Sequence, residues 1–200
     1  MPERETAAAI LKRVPRYMVE HRAISLLFAL LAIWALLLVI TPLFEPPGTI
    51  DLGDDGVVGG WEHSAAIGSI GNPVARVVYQ TGDANCHQKD SRSLFLNGNQ
   101  MPYCARCTSL FFAMPLGALI FFAAQRQVNP LWIILALVPL GIDGGLQLVT
   151  GYESNNVLRI ITGGIAGGAM GYVLGVLANE ISIIWRSRKP RPREPPGPSP

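Results

Sequence analysis

Four apolar stretches, residues 23–41, 105–124, 131–148 and 158–184, each approach the roughly 20 residues that a helix needs to cross a bilayer core. Half of the 200 residues are hydrophobic and only 15% are charged, a balance unusual for a soluble domain of this length. The reading is an all-α polytopic membrane protein with about four transmembrane helices and a long extracytoplasmic loop, 44–103, between the first and second. The second stretch contains Pro115, which should kink it. The third carries Asp143, a carboxylate at a depth where an ionised group needs a partner. The first follows a basic leader, but its apolar run is longer than a signal core and no small-residue cleavage site precedes Thr41-Pro42, so it reads as a retained helix.

Lysine and arginine concentrate at the two ends: Lys12, Arg13, Arg16 and Arg22 before the first helix, and Arg186, Arg188, Lys189, Arg191 and Arg193 after the last. Positive flanks stay in the cytoplasm. Both termini are therefore expected to be cytoplasmic in a multi-pass protein of the plasma membrane, with the 125–130 turn inside and residues 44–103 and 151–157 outside. The net charge of +2 is a topology signal and gives no reason to expect nucleic acid as a partner.

Three regions follow. Residues 1–22 form a cytoplasmic basic leader, in which Ile10, Leu11, Val14 and Met18 have the spacing of a short amphipathic helix. Residues 23–184 form a single helical membrane domain. Residues 185–200, dominated by proline and arginine, form a disordered basic tail near anionic head groups. Within the outer loop, Pro42, Pro46, Pro47 and Gly48 end the first helix and open a mobile acidic segment through Gly60. Residues 63–80 then have amphipathic helical spacing, broken around Gly71-Asn72-Pro73. In the last helix Gly163, Gly167, Gly171 and Gly175 recur every fourth residue, a face built for close helix packing. Packing inside the chain is favoured; a homodimer or a membrane-complex partner is the alternative.

Chemistry concentrates at the outer boundary. Cys104-Ala105-Arg106-Cys107 opens the second helix, where exposed N–H groups and the helix dipole favour thiolate. With Cys86 and His87 from the preceding loop, Cys104 and Cys107 have the ligand types of a tetrahedral zinc site, although adjacent Cys86 and His87 can share one ion only on a bent backbone. The alternatives are a disulfide of Cys86 with Cys104 or Cys107, and a redox-active C-x-x-C with Cys86 as resolving thiol. Arg92 and Arg106 flank the cluster and suit an anionic ligand. Asp143 and Gln147 share one face of the third helix, and Arg159 is the expected partner of Asp143, as a helix clamp or as part of a substrate or proton site. Glu153-Ser154-Asn155 should cap the fourth helix, with Asn155 close to the same boundary.

Taken together, Cys86-His87-Gln88, Arg92-Ser93, Gly98-Asn99-Gln100-Met101-Pro102 and Cys104-Ala105-Arg106-Cys107-Thr108 resemble the hallmark of domain of unknown function 2085, a family of small integral membrane proteins of bacteria and archaea. Asp143-Gly144, Gln147, Ser154-Asn155, Arg159 and Thr162-Gly163 are similar to its second motif. The resemblance runs over about residues 74–175 and implies membrane location, with no activity attached. Ser109 stands where the pattern leads one to expect glycine.

The function expected from these residues is metal-dependent binding or processing of a lipid head group or a small anionic ligand. An ion of zinc type would serve as Lewis acid or template, Arg92 and Arg159 would hold anionic oxygen, and Asp143 would take or relay a proton. A thiol-disulfide redox membrane protein and a noncatalytic accessory subunit are the alternatives. Nucleotide-binding glycine loops, G-x-S-x-G and H-E-x-x-H are all missing from the sequence.

Overall fold

A computed structural model gives the architecture and describes residues 14, 21–54 and 56–187. Most of the basic leader and the tail from residue 188 lie outside the described residues, and the expectations for them with it. The order is α1 (Arg22–Phe44), α2 (Ser64–Gly68), α3 (Pro73–Asn85), a 3-10 turn (Asp90–Arg92), β1 (Ser93–Leu96), β2 (Asn99–Cys104), α4 (Ala105–Ala124), α5 (Pro130–Val149) and α6 (Asn156–Ser187). Helices α1, α4, α5 and α6 are long and apolar enough to cross a membrane.

Helix α1 continues past Thr41 to Phe44 with Pro42 inside it. The last turn of a helix leaves carbonyls without partners. Here Asn99 supplies one: its Nδ2 donates to the Pro42 carbonyl at 2.8 Å and to Pro46 O at 3.1 Å.

The α4 and α6 pair forms the centre, and glycine explains its closeness. A Cβ at Gly171 would overlap the Met114 carbonyl oxygen and stand 2.7 Å from its carbon; one at Gly167 would stand 2.7 Å from Leu110 Cα. From the other side, a Cβ at Gly117 would stand 2.8 Å from the Gly168 carbonyl carbon. The stripe Gly163, Gly167, Gly171 and Gly175 is thus covered by α4 of the same chain, the packing inside the chain that the spacing favoured. Ser109 fits for the same reason. Its Oγ donates to Arg106 O at 2.9 Å, and the space that a Cβ at Gly163 would take is filled by this hydroxyl, so the close approach is made by the glycine on α6. Helix α5 lies at the periphery, and Asp143 is its buried residue.

On one end of the bundle sits a cap built from residues 45–54 and 56–104. Asn72 caps α3, accepting from the N–H groups of Val74 and Ala75 at 2.9 and 3.3 Å, so the expected break at Gly71-Asn72-Pro73 separates α2 from α3. Following it is a β-hairpin that the sequence reading did not foresee. Asn97 and Gly98, at φ +56° and +71°, make the two-residue turn, and Leu96 pairs with Asn99 and Phe95 with Gln100. Both central residues of such a turn need positive φ, which Asn-Gly supplies.

Nor is the start of the acidic segment free. Asn99 Oδ1 accepts from Thr49 and Ile50 N–H at 2.8 and 3.0 Å, and Gln100 Oε1 accepts from Leu52 N–H at 2.8 Å. Ile50 and Leu52 are thereby buried with Ile67, Ile70, Ala75 and Tyr79. A second cluster joins cap to bundle: Leu38, Val78, Cys86, Met101, Tyr103 and Cys104, with Trp34, Tyr103 and Phe111 meeting edge to face at 5.1–6.2 Å. The cysteines therefore belong to a packed junction.

Candidate metal and anion site

Each cysteine is placed by a different element. Cys86 ends α3, its N–H bonded to Gly82 O at 2.7 Å. Cys104 ends β2 and caps α4, and Cys107 lies in the first turn of α4. The chain bends just after His87, where Gln88 adopts φ +44° and is fully buried. Gln88 is held there because its Nε2 donates to Tyr79 O at 3.0 Å and Pro102 O at 2.8 Å. A side chain at Gly82 would collide with both the Gln88 amide and Pro102, so glycine is required beneath it.

The result is convergence. One donor atom each from Cys86, His87 and Cys104 lies within 4.8 Å of the others. Donors spread no wider than this can close on a zinc ion held at ~2.0–2.3 Å from each. Cys107 stands outside that trio but in the first turn of the helix that Cys104 precedes, placing a fourth donor nearby. All three cysteines are free. The neighbouring Cys107 and Cys86 thiols, with His87 adding to them, hold Cys104 well below the ordinary thiol range. Cys86, bonded to the Cys104 sulfur, is pushed up to about 11. A thiolate is the form that binds metal or attacks as a nucleophile, and Cys104 is the sulfur that the surroundings select.

Beside the sulfurs are three arginines, and here one expectation is corrected. Asp143 pairs with Arg106, through Oδ2 and Nη2, and Gln147 Oε1 accepts from the same Nη2 at 2.7 Å. Arg106 reaches across from the first turn of α4 to α5. Arg159 instead folds back along its own helix: Nη1 donates to Asn156 Oδ1 at 3.0 Å, and Nη2 lies 3.8 Å from Glu153 Oε2. The other oxygen of Glu153 pairs with Arg92. Asn155 caps α6 as expected, with Oδ1 accepting from Leu158 N–H at 2.9 Å, so that oxygen is engaged. The neighbouring Asn156, not singled out by the sequence, is the one that touches Arg159.

Arg159 is 2% exposed and feels the charges of Arg92, Arg106, Glu153 and Cys104. Hydrogen-bond capacity is left over: Arg92 Nε, Arg106 Nε, Arg159 Nη2, Asp143 Oδ1 and Gln147 Nε2 are buried without hydrogen-bond partners. Three guanidiniums meet two carboxylates and the Cys104 thiolate, so what is left over is donor capacity, not net charge. Buried polar atoms normally find partners, so this end of the bundle is suited to an anion.

Sequence reasoning also missed His63 and Asp83. Both are buried, with His63 Nδ1 2.9 Å from Asp83 Oδ1. Gly56 threads between this pair and the site: a Cβ there would stand 2.7 Å from His63 Cε1 and 2.9 Å from the His87 carbonyl carbon. Twenty residues and a helix separate the two, and no spacing rule links them.

A family model described as "Predicted membrane protein (DUF2085)" matches residues 86–173. An uncharacterized protein of Methanothermobacter thermautotrophicus is 35% identical over 102 residues, which is 50% of this chain and 92% of that protein. The chain belongs to the DUF2085 family. A second uncharacterized protein, from Methanocaldococcus jannaschii, is 39% identical over 87 residues, 41% of this chain and 56% of that relative, so the chain spans little more than half the length of that protein. No solved structure matches. The DUF2085 span begins at Cys86 and takes in every cysteine and arginine of the site, together with Asp143, whereas His63 and Asp83 precede it.

Proposed function

We propose that this DUF2085 protein holds a zinc-type ion among Cys86, His87, Cys104 and Cys107, and that it binds or processes a lipid head group or small anionic ligand at the adjoining arginines. The observation that carries this reading is the meeting of a three-donor set within 4.8 Å and three arginines with unsatisfied buried donors at one end of the bundle. The ion would supply Lewis acidity when bound. Arg92 and Arg159 would orient anionic oxygens through charge-assisted hydrogen bonds. Asp143 Oδ1, free of hydrogen bonds while Oδ2 pairs with Arg106, is the site where a proton would be taken or relayed.

The protein is placed in the plasma membrane with both termini cytoplasmic, on the strength of the basic ends; the site then opens to the outer side. A thiol-disulfide role is supported by one separate observation, three free cysteines at one junction with the Cys104 N–H donating to Cys86 Sγ at 3.4 Å. One experiment separates the readings. Plasma mass spectrometry on detergent-purified protein, with thiols counted before and after reduction, should give stoichiometric zinc that is lost in Cys104→Ser. Absence of metal together with a thiol count that rises on reduction would overturn the metal reading in favour of the redox one.

A further inference from the structure

We propose that the anionic ligand is a membrane phospholipid whose phosphate lies at Arg92 and Arg159 and whose acyl chain lies in an apolar groove bounded by α1, the hairpin, α4 and α6. This rests on the anion half of the reading above and is independent of the metal.

The groove, about 460 Å³, is lined by Leu94, Leu96, Ser109, Ala113, Ile160 and Gly164 among others, and its walls are almost wholly apolar. Three of its walls run directly into the arginine cluster. On α4, Arg106, Ser109, Ala113 and Leu116 are spaced by three or four residues and share one face. On α6, Asn156, Ile160 and Gly164 do the same. On the hairpin, Leu94 follows Ser93 and Arg92. Asn156 ties the head of the groove together: its Nδ2 donates to Ser93 O at 3.1 Å and its Oδ1 accepts from Arg159 at 3.0 Å. Groove and arginine cluster therefore adjoin along the chain, Leu94 two residues from Arg92 and Ile160 next to Arg159, with the guanidiniums at the boundary end and the apolar slot beyond them. That is the polarity of a lipid.

Gly164 adds an independent observation. A Cβ on Gly163 or Gly167 would collide with α4, whereas one on Gly164 meets nothing within 4 Å. Helix packing does not require glycine at 164; the missing side chain leaves the groove floor open. Acyl chains are as apolar as the groove, so the slot contributes through shape and van der Waals packing, and a filled slot displaces the chain and the head group joined to it. It positions a chain, and selection comes from guanidinium on phosphate. A ligand with both parts should outbind a ligand with either.

The test is native mass spectrometry and thermal melting of the full chain in neutral detergent with three probes: dioleoyl phosphatidic acid, dioleoylglycerol, which keeps the chains without the phosphate, and glycerol phosphate, which keeps the phosphate without the chains. The expected result is retention of phosphatidic acid at least tenfold above dioleoylglycerol. Gly164→Phe, or Ala113→Leu as a second filling variant, should lower that retention at least tenfold while leaving the melting shift with glycerol phosphate intact; Arg92→Gln should lower both. Equal retention of phosphatidic acid and dioleoylglycerol, or undiminished retention in both filled variants, overturns the proposal. If glycerol phosphate binds as well as phosphatidic acid, the anion site stands and the lipid assignment falls. If neither phosphate compound binds, the anion site falls as well.

Discussion

Two glycine-to-alanine substitutions on one helix should move stability in opposite directions. A Cβ on Gly171 would overlap the Met114 carbonyl oxygen and stand 2.7 Å from its carbon, about 0.7 Å short of the 3.4 Å at which ordinary contact begins. The obstacle is backbone, so no rotamer change relieves it and α4 and α6 must part. Overpacking of this kind costs about 1–3 kcal/mol. A Cβ on Gly164 meets nothing within 4 Å. Both substitutions gain the same helix propensity, about 1 kcal/mol, so the difference between them isolates the clash. At about 2–4 °C per kcal/mol for a chain of this size, Gly171→Ala should melt roughly 2–12 °C below Gly164→Ala in the same detergent. Differential scanning fluorimetry with a thiol-reactive dye, or tryptophan emission, reads this directly. A Gly171→Ala protein that melts with or above Gly164→Ala would refute the close helix approach, and with it the placement of Arg106 opposite α6.

Other consequences follow from the site. Asp143→Asn removes the countercharge of Arg106; breaking a buried pair costs up to about 3–5 kcal/mol, but the Arg106 side chain is 19% exposed, which reduces the expected loss to about 1–3 kcal/mol. A double-mutant cycle with Arg106→Gln should recover part of it, and additive losses would contradict the pairing. Gln88→Ala leaves the Tyr79 and Pro102 carbonyls without their amide donor, at about 1–3 kcal/mol for each buried acceptor; limited proteolysis should cut the cap faster in that variant. A chelator should expose the Cys86, Cys104 and Cys107 thiols to maleimide, with added zinc restoring protection. Labelling rates indifferent to both would count against the metal.

The bundle was legible because its signal is length: runs near 20 apolar residues mark α1, α4, α5 and α6 whatever packs around them. The glycine period showed that a helix must come close but not which one, since a four-residue repeat serves an internal and an external partner alike. The hairpin escaped because Asn97-Gly98, the one local sign of it, sits among polar residues in a loop that composition marks as irregular. Gln88, Asn99 and Gln100 stood out within a motif, and the structure assigns them scaffolding: their amides bond to backbone from residue 42 to residue 102. In the site, residue types at one membrane boundary were sufficient to group Cys86, His87, Cys104, Arg92, Arg106, Asp143 and Arg159. Pairing was not recoverable, because it depends on which helices are neighbours and how far each guanidinium reaches. Asp143 meets Arg106 rather than Arg159 for that reason.

The central claim is a metal held by sulfur at this boundary, and X-ray absorption at the zinc edge on the purified protein tests it most directly. The account predicts a shell of two or three sulfurs at ~2.3 Å with one nitrogen at ~2.0–2.1 Å, lost in Cys104→Ser. A shell of oxygen and nitrogen alone, or one unchanged in Cys104→Ser, would contradict it.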